Sequence, residues 1–257
     1  RQEYNNSIKW WMKNRHNWEI DTSWIFTTHG LVNGTGLCID AFTKPGDGII
    51  LFTPVYYQFS NLVEAARRKV VECPLKLIDN HYHFDFVEYE RNLSGDEKMV
   101  ILCSPHNPGG RVWTKNELQE VAKFAKKHDL VLVSDEIHHD LVYPNKNHTV
   151  MPIADPSVCD RLVMMTATTK TFNIAGVHTG NVIIPNPKLR QKFSQRIKAL
   201  GISPNSFGLF MATAAYSPEG AEWLDELLHY IDGNRVIFDK EVNKIPGLSS
   251  MPLEGTY

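Results

Sequence analysis

The sequence predicts an α/β fold in three layers, αβα, with a mainly parallel sheet in the middle. Two observations predict it: short apolar runs alternate with amphipathic stretches along most of the chain, and most of these runs are continuously apolar. Continuous runs are typical of strands that helices cover on both faces. Turn-forming clusters, such as "TKPGDG" (43–48) and "HNPGGR" (106–111), separate the elements.

Six apolar runs are predicted to be strands because they are short, contain many Val, Ile and Leu residues and end near turn or polar residues. In chain order they are "GIILFT" (48–53), "KVVECPL" (69–75), "KMVILCSP" (98–105), "LVLVSDE" (130–136), "RLVMMTA" (161–167) and "GNVIIP" (180–185).

The helices are predicted from apolar residues at helical spacing. The clearest helix covers 114–129, where Thr114 is a typical N-cap and Glu117 follows three residues later. From Ser203 onward no strand candidates remain, and the final predicted helix is long. The other helical stretches are 28–42, 53–69, 186–200, 203–216 and 218–242.

The long helix suggests where the domains divide. We expect residues 1–244 to form a large domain with a linking helix, and 245–257 to begin a smaller C-terminal domain. The chain starts at Arg1 inside the amphipathic "RQEYNNSIKWWMKNRHNW" and stops inside "SSMPLEGTY". We therefore expect the 257 residues to belong to a longer protein.

Composition excludes several classes of protein. The chain is 42% hydrophobic and 22% charged with a net charge of -2, a profile typical of soluble globular proteins. A near-neutral balance argues against a nucleic-acid binder, and no apolar stretch is long enough for a membrane helix. The four cysteines are far apart without a CxxC pair, which predicts reduced thiols in a cytoplasmic protein.

Polar and aromatic residues follow four of the predicted strands. Ligands of open α/β sheets bind outside the carboxyl ends of the strands. Tyr56, Asn107, Asp135 with His138, and Lys170 each come just after an apolar run. We therefore expect these side chains to lie along one edge of the sheet.

Lys170 follows the strand candidate at 161–167 and two threonines. Most lysines are solvated surface charges. A lysine amine in apolar surroundings can instead act as a nucleophile or a base, as Schiff-base chemistry requires. The position of Lys170 favours this functional interpretation.

Asp135 closes an apolar strand candidate, where a buried carboxylate is costly without a cation. It could be a helix N-cap or could hold the proton of a cationic ring nitrogen. Such a pair gains roughly 4 kcal/mol at about 4 Å and an effective dielectric near 20, about three powers of ten in an equilibrium. A metal site within "DEIHHD" (135–140) is a third interpretation, although the HExxH spacing is missing.

The glycine-rich stretch "THGLVNGTGLCIDAF" (28–42) leads into an apolar helix. It lacks both GxGxxG and the GK[ST] of a P-loop. Free amides at a helix N-terminus still bind phosphate without a lysine, and a plain capped helix start is the alternative.

Four segments together resemble fold-type I pyridoxal-phosphate enzymes of the class I/II aminotransferase superfamily, and most closely the cystathionine β-lyase-like branch of carbon–sulfur lyases. They occur in the family's order and at about its spacing. The segments are "AFTKPGDGIILFTPVYYQF" (41–59), "CSPHNPGGRVWTKNEL" (103–118), "SDEIHHDLVY" (134–143) and "TKTFNIAG" (169–176).

The resemblance implies pyridoxal 5'-phosphate as the cofactor and a role for each matching position. Lys170 would bond covalently to the cofactor aldehyde and act as the catalytic base. The cofactor-binding positions would be Asp135 at the pyridinium nitrogen, Asn107 and His138 at the ring hydroxyl, Tyr56 stacked on the ring, and the Leu31 and Val32 amides with the Thr169 hydroxyl at the phosphate. No metal ligand is implied.

The chain departs from the family pattern at the phosphate end. His178 stands where most aminotransferases of this superfamily carry an arginine, and Asn33 and Gly34 replace a more apolar pair. The arginine for the substrate carboxylate and the tyrosine given to the partner subunit would lie outside the 257 residues.

The resemblance implies β-elimination on sulfur-containing L-amino acids such as cystathionine or cysteine, giving pyruvate, ammonia and a thiol. It also implies a homodimer with shared active sites, without nucleic-acid or membrane partners. An aminotransferase on the same scaffold is the nearest alternative. A metal-dependent hydrolase using Asp135, His138 and His139 and a non-catalytic binding protein are more distant ones.

Overall fold

A computed structural model describes residues 1–256 of the chain. In this part, ten α-helices are interspersed with nine strands and three short 3-10 helices. The helices are α1 (Gln2–His16), α2 (Gly30–Phe42), α3 (Gln58–Ala65), α4 (Phe86–Asn92), α5 (Lys115–Lys127), α6 (Met151–Ala154), α7 (Thr168–Thr171), α8 (Pro187–Ala199), α9 (Ser206–Ala215) and α10 (Pro218–Val242).

Seven of the strands form one sheet. The strands are β1 (Ile25–Thr28), β2 (Gly48–Leu51), β3 (Lys69–Glu72), β4 (Lys76–Ile78), β5 (His81–His83), β6 (Glu97–Cys103), β7 (Val131–Asp135), β8 (Leu162–Thr166) and β9 (Gly180–Ile183). The sheet order is β1-β9-β8-β7-β6-β2-β3, while β4 and β5 form a separate antiparallel hairpin. The β7–β8, β6–β7, β2–β6 and β2–β3 pairs are parallel, and β9 is antiparallel to both β1 and β8.

The predicted α/β fold with a mainly parallel sheet is confirmed, and each of the six predicted strands is present. The reason for their continuous apolar character is visible in β6. Val100 and Leu102 belong to the apolar cluster on one face of the sheet, and Met99 and Ile101 belong to the cluster on the other. Because successive side chains point to opposite faces, a strand covered on both sides needs apolar residues throughout.

Helix boundaries follow local capping chemistry. Thr114 and Glu117 form the predicted capping box at the start of α5, with the Thr114 hydroxyl accepting from the Glu117 amide. Between residues 204 and 256 the chain forms α9 and α10 and returns no strand to the sheet.

The last described residues pack back onto the sheet domain. The Glu254 amide donates to the Gly110 carbonyl at 2.8 Å, and Gly255 forms an antiparallel bridge with Val142. The domain boundary between residues 244 and 245 stays a prediction, and Tyr257 of the second segment lies outside the described residues.

All four cysteines are free thiols: Cys38, Cys73 and Cys103 are buried, and Cys159 is partly exposed. Within residues 1–256 none of the helices has the length and apolar character required to cross a membrane.

Candidate active site

A cleft of about 720 Å³ opens where β6, β7 and β8 end. It collects residues that are far apart in sequence, because the carboxyl ends of parallel strands meet at one edge of the sheet. Its walls include all eight residues predicted for the site: Leu31, Val32, Tyr56, Asn107, Asp135, His138, Thr169 and Lys170. Their individual roles stay predictions at this point.

Asp135 is the last residue of β7, and its register neighbours are Cys103 on β6 and Met165 on β8. The side chain is buried, and one carboxylate oxygen accepts a hydrogen bond from the Ile137 amide at 3.1 Å. Burial raises the pKa of Asp135 to about 7, although the Ile137 hydrogen bond and the charge of Lys170 act to lower it. A cation placed against this carboxyl group would favour its ionised form.

Lys170 lies in α7, the short helix that follows β8. Its ammonium charge contributes to lowering the pKa of both Asp135 and His138, and all three residues line the same cleft. The turn that carries it is fixed by Thr171, whose hydroxyl donates to Asp140 at 3.0 Å.

His138 follows Asp135 in the loop after β7. Burial, assisted by the charges of Lys170 and His139, lowers the pKa of His138 to about 4. The imidazole is therefore neutral near pH 7, with one donor nitrogen and one acceptor nitrogen. This suits a hydrogen bond to a polar ligand atom in the cleft.

Asn107 and Tyr56 reach the cleft from turns that follow neighbouring strands. The Asn107 amide donates to the Cys103 thiol at 3.4 Å, which holds the turn against the end of β6. The ring of Tyr56 packs edge-to-face on Phe59, with centroids 5.7 Å apart. Both side chains are thus positioned by the sheet edge.

The start of α2 forms another wall of the cleft. Gly30 begins the helix with a φ of +77°, and its N-cap, His29, gives no side-chain cap. The first amides of a helix have no partner within the helix, so those of Leu31 and Val32 suit an anion. The side-chain oxygen of Asn33 accepts from the His29 amide at 3.2 Å, which accounts for one departure from the family pattern.

His178 also lines the cleft, beside the start of α2. Its Cα lies 4.0 Å from the point where a Cβ of Gly30 would be. The residue is exposed and has a φ of +43°. The position that carries an arginine in the resembling aminotransferases therefore does adjoin the start of α2, where the phosphate is predicted to bind.

Sequence reasoning missed several residues of the cleft, among them Cys103, Ile137 and His29. Cys103 lies near the end of a predicted strand, and His29 lies just before the amides predicted to bind the phosphate. Their positions in the sequence therefore gave a signal for both residues. Ile137 has no such signal, because an isoleucine two residues after Asp135 reads as ordinary core.

The constellation needed for a metal-dependent hydrolase is not assembled. Asp135 and His138 face the cleft, whereas His139 lines a different cavity together with His16 and Asp140. Adjacent residues in the loop line different cavities, so the structure does not favour the distant alternative, a metal site of Asp135, His138 and His139.

Comparison with known proteins places the chain among related enzymes. The profile of the family "Aminotransferase class I and II" matches residues 1–257. Cystathionine beta-lyase PatB of Bacillus subtilis is 37% identical over 235 residues, 91% of this chain and 60% of PatB. Protein MalY of Escherichia coli is 30% identical over 259 residues, covering 99% of this chain and 65% of MalY.

The structure of cystalysin from Treponema denticola, which contains a pyridoxal 5'-phosphate cofactor, is also similar. It superposes with a TM-score of 0.94 and 40% identity, covering 100% of this chain and 66% of cystalysin. The chain therefore spans less than two thirds of the length of PatB and MalY.

Proposed function

This chain belongs to the aminotransferase class I and II family, and we propose that it is a pyridoxal-phosphate-dependent carbon–sulfur lyase. The proposed reaction is β-elimination on a sulfur-containing L-amino acid such as cystathionine or cysteine. The observation that carries the proposal is the cleft, in which the amine of Lys170 and the buried carboxyl group of Asp135 face the same space.

The cleft residues fit pyridoxal phosphate in chemical type. The cofactor needs an amine for its aldehyde, a carboxylate for the proton on its ring nitrogen, and donors for its phosphate. Lys170, Asp135 and the start of α2 supply these three in one cavity. Burial raises the pKa of Asp135 to about 7, and a cationic ring nitrogen is the partner that such a carboxyl group requires.

When bound, pyridoxal phosphate supplies an electron sink for the negative charge that develops on the substrate Cα. Lys170 Nζ would bind the cofactor aldehyde in the resting protein and would take up the proton from the substrate Cα as general base. Asp135 would hold a proton on the ring nitrogen, which strengthens its electron withdrawal.

The remaining residues orient the reacting groups. His138 is neutral, because burial lowers its pKa to about 4, and it acts with Asn107 on the ring hydroxyl. Tyr56 packs on the face of the ring. The amides of Leu31 and Val32, with the Thr169 hydroxyl, hold the phosphate.

The elimination follows from the fate of the negative charge at Cα. When Cβ carries sulfur, elimination would break the Cβ–S bond and release a thiol, and one water would then hydrolyse the remaining amino-acid fragment to pyruvate and ammonia. The similarity to PatB supports this outcome, and the absence of an arginine at His178 distinguishes the chain from most aminotransferases of the superfamily. The family itself includes aminotransferases, so transfer of the amino group to a keto acid is the rival activity.

We also propose that the protein forms a homodimer with shared active sites and works in the cytoplasm. Large aromatic side chains exposed on α9, Phe207 and Phe210, support association with a second copy. The free thiols of all four cysteines support a reducing compartment.

The experiment offers L-cystathionine to the full-length protein loaded with cofactor, without any keto acid, and measures pyruvate and thiol. We expect equal amounts of both, and no pyruvate from a Lys170→Ala variant. Amino-group transfer that requires a keto acid and yields no pyruvate would contradict the lyase and favour the aminotransferase.

A further inference from the structure

Outside the cleft, three side chains from two distant segments converge. His16 ends α1, and His139 and Asp140 follow β7. His16 Nε2 lies 2.9 Å from Asp140 Oδ1, and His139 Nε2 lies 2.9 Å from Asp140 Oδ2. One nitrogen or oxygen from each of the three residues lies within 4.8 Å of the other two.

His139 is the unusual member of this group. Its side chain is fully buried, and neither ring nitrogen has a hydrogen-bond partner among the described residues. Nε2 is close to Asp140, but the angles do not suit a hydrogen bond. Buried polar atoms are nearly always satisfied, so a buried imidazole with two unpartnered nitrogens beside Asp140 and His16 is a candidate ligand.

The three side chains offer atoms that metal ions bind. Imidazole nitrogens and carboxylate oxygens are common ligands of divalent transition metals in proteins, and the three residues bring both kinds together.

We propose that His16, His139 and Asp140 form a binding site for a divalent transition-metal ion, best matched to Zn²⁺. Two imidazoles and one carboxylate are a typical three-ligand zinc set with one position left for water. Tetrahedral bonds of roughly 2.0–2.2 Å place ligand atoms roughly 3.3–3.6 Å apart. Both imidazole nitrogens now lie 2.9 Å from Asp140, so a bound ion would replace the His16–Asp140 hydrogen bond and move each imidazole slightly outward.

The surroundings suit such a site. A cavity of about 290 Å³ adjoins the three residues and gives water access. Two cations, Arg15 and Lys146, line the same cavity, but they form ion pairs with Asp225 at 2.8 Å and Glu254 at 2.7 Å. Their charges are therefore partly compensated before a metal ion enters.

Asp140 is oriented by other donors, as metal-binding carboxylates usually are. Trp11 Nε1 donates to Oδ1 at 2.9 Å, and the Thr171 hydroxyl donates to Oδ2 at 3.0 Å. Thr171 directly follows Lys170. A metal ion here would tie the end of α1 to the loop after β7 and to the turn that carries the catalytic lysine.

The test uses the full-length, cofactor-loaded protein after treatment with a chelator, with ZnCl₂ as the probe. Calorimetric titration measures stoichiometry and affinity for the native protein, His16→Gln, His139→Gln and a control, His229→Gln, which alters an exposed histidine on α10. We expect one Zn²⁺ per chain in the native protein and the control. Each cluster variant should lose roughly tenfold or more in affinity.

Equal Zn²⁺ affinity in the native protein and both cluster variants would overturn the proposal. Thermal unfolding of the native protein with and without Zn²⁺ keeps the test decisive if a variant folds poorly. We expect Zn²⁺ to raise the Tm of the native protein and the control, and an unchanged Tm would overturn the site.

Discussion

Asp135 illustrates how burial changes the protonation of a single side chain in the cleft. Its pKa is raised to about 7 mainly by burial, with a further contribution from Glu136. Ionising this carboxyl group inside the folded chain costs free energy because the group is buried. A cation facing the carboxylate offsets that cost, which is why we place the cofactor's ring nitrogen there.

Replacement of Asp135 by Asn should change how the stability of the cofactor-free protein depends on pH. The folded pKa of about 7 exceeds the ordinary 3.8, so the native protein loses stability as pH rises between these values, by up to about 4 kcal/mol. Asp135→Asn lacks this loss. Urea unfolding should therefore show the variant gaining on the native protein from pH 5 to pH 8.

The control for this experiment is Asp79→Asn, which changes an exposed aspartate. It should shift the free energy of unfolding equally at both pH values. A constant difference between Asp135→Asn and the native protein across this range would show that the carboxyl group is not protonated by burial.

Thr169 and Thr168 provide a matched pair at the phosphate end. Thr169 lines the cleft, whereas the Thr168 hydroxyl is buried and has no hydrogen-bond partner among the described residues. Thr169→Val should weaken cofactor binding roughly 10- to 100-fold, because it removes one hydrogen bond to a charged group. Thr168→Val should leave the Kd for pyridoxal phosphate unchanged, as fluorescence titration can measure.

A weaker affinity in Thr168→Val than in Thr169→Val would contradict this assignment and would indicate that the Thr168 hydroxyl binds the phosphate.

Among single residues, the sequence predicted eight that line the cleft, because the ends of strands are visible as the points where apolar runs stop. It could not predict the unpaired nitrogens of His139, because hydrogen-bond satisfaction depends on side-chain angles rather than on residue order.

Among the elements, the approach of β9 to the start of α2 shapes the wall of the cleft that we propose binds the phosphate. A Cβ added to Gly180 would lie 2.5 Å from Leu31 Cδ2 and 2.9 Å from the carbonyl carbon of Gly30. Only glycine allows the strand and the helix to come this close. The wall that presents the Leu31 amide therefore depends on a residue outside α2.

Gly180→Ala should displace the start of α2, destabilising the fold by about 1–3 kcal/mol and weakening cofactor binding. Gly36→Ala, inside the same helix, is the control: its Cβ would meet Leu62 at an ordinary 3.7 Å, and alanine should stabilise the helix by about 1 kcal/mol. Urea unfolding and cofactor titration measure both effects. Native-like affinity and stability in Gly180→Ala would contradict the close approach.

The elements differ in how far the sequence could predict them. Six strands were predicted because both faces of the sheet are covered. β1 was missed because "IFTT" is four residues long with two threonines, and β4 and β5 because they form an exposed or half-buried hairpin without an apolar run. The antiparallel direction of β9 has no sequence signal, since residue periodicity is the same for either direction.

For the molecule as a whole, the exposed apolar residues of α9 and α10 are the main feature that the described chain does not explain internally. Phe207 and Phe210 are 76% and 75% exposed, and Val236, Ile237 and Phe238 on α10 are also exposed. Surfaces of this kind commonly contact another chain or domain. We assign the α9 residues to the proposed homodimer.

Replacement of Phe207 and Phe210 together by Ser should weaken that dimer. Light scattering coupled to size-exclusion chromatography of the full-length protein should show a shift from dimer to monomer on dilution. Val87→Ser on α4, which changes another exposed apolar residue, should leave the mass unchanged. A native-like dimer in the double variant would place the interface elsewhere.

The central claim, that Lys170 bonds the cofactor opposite Asp135, is tested most directly by reducing the cofactor-loaded protein with borohydride and locating the pyridoxyl group by peptide mass spectrometry. We predict that the label lies on Lys170 and is absent from a Lys170→Ala variant. A label on another lysine, or none in a protein that retains full lyase activity, would contradict the account.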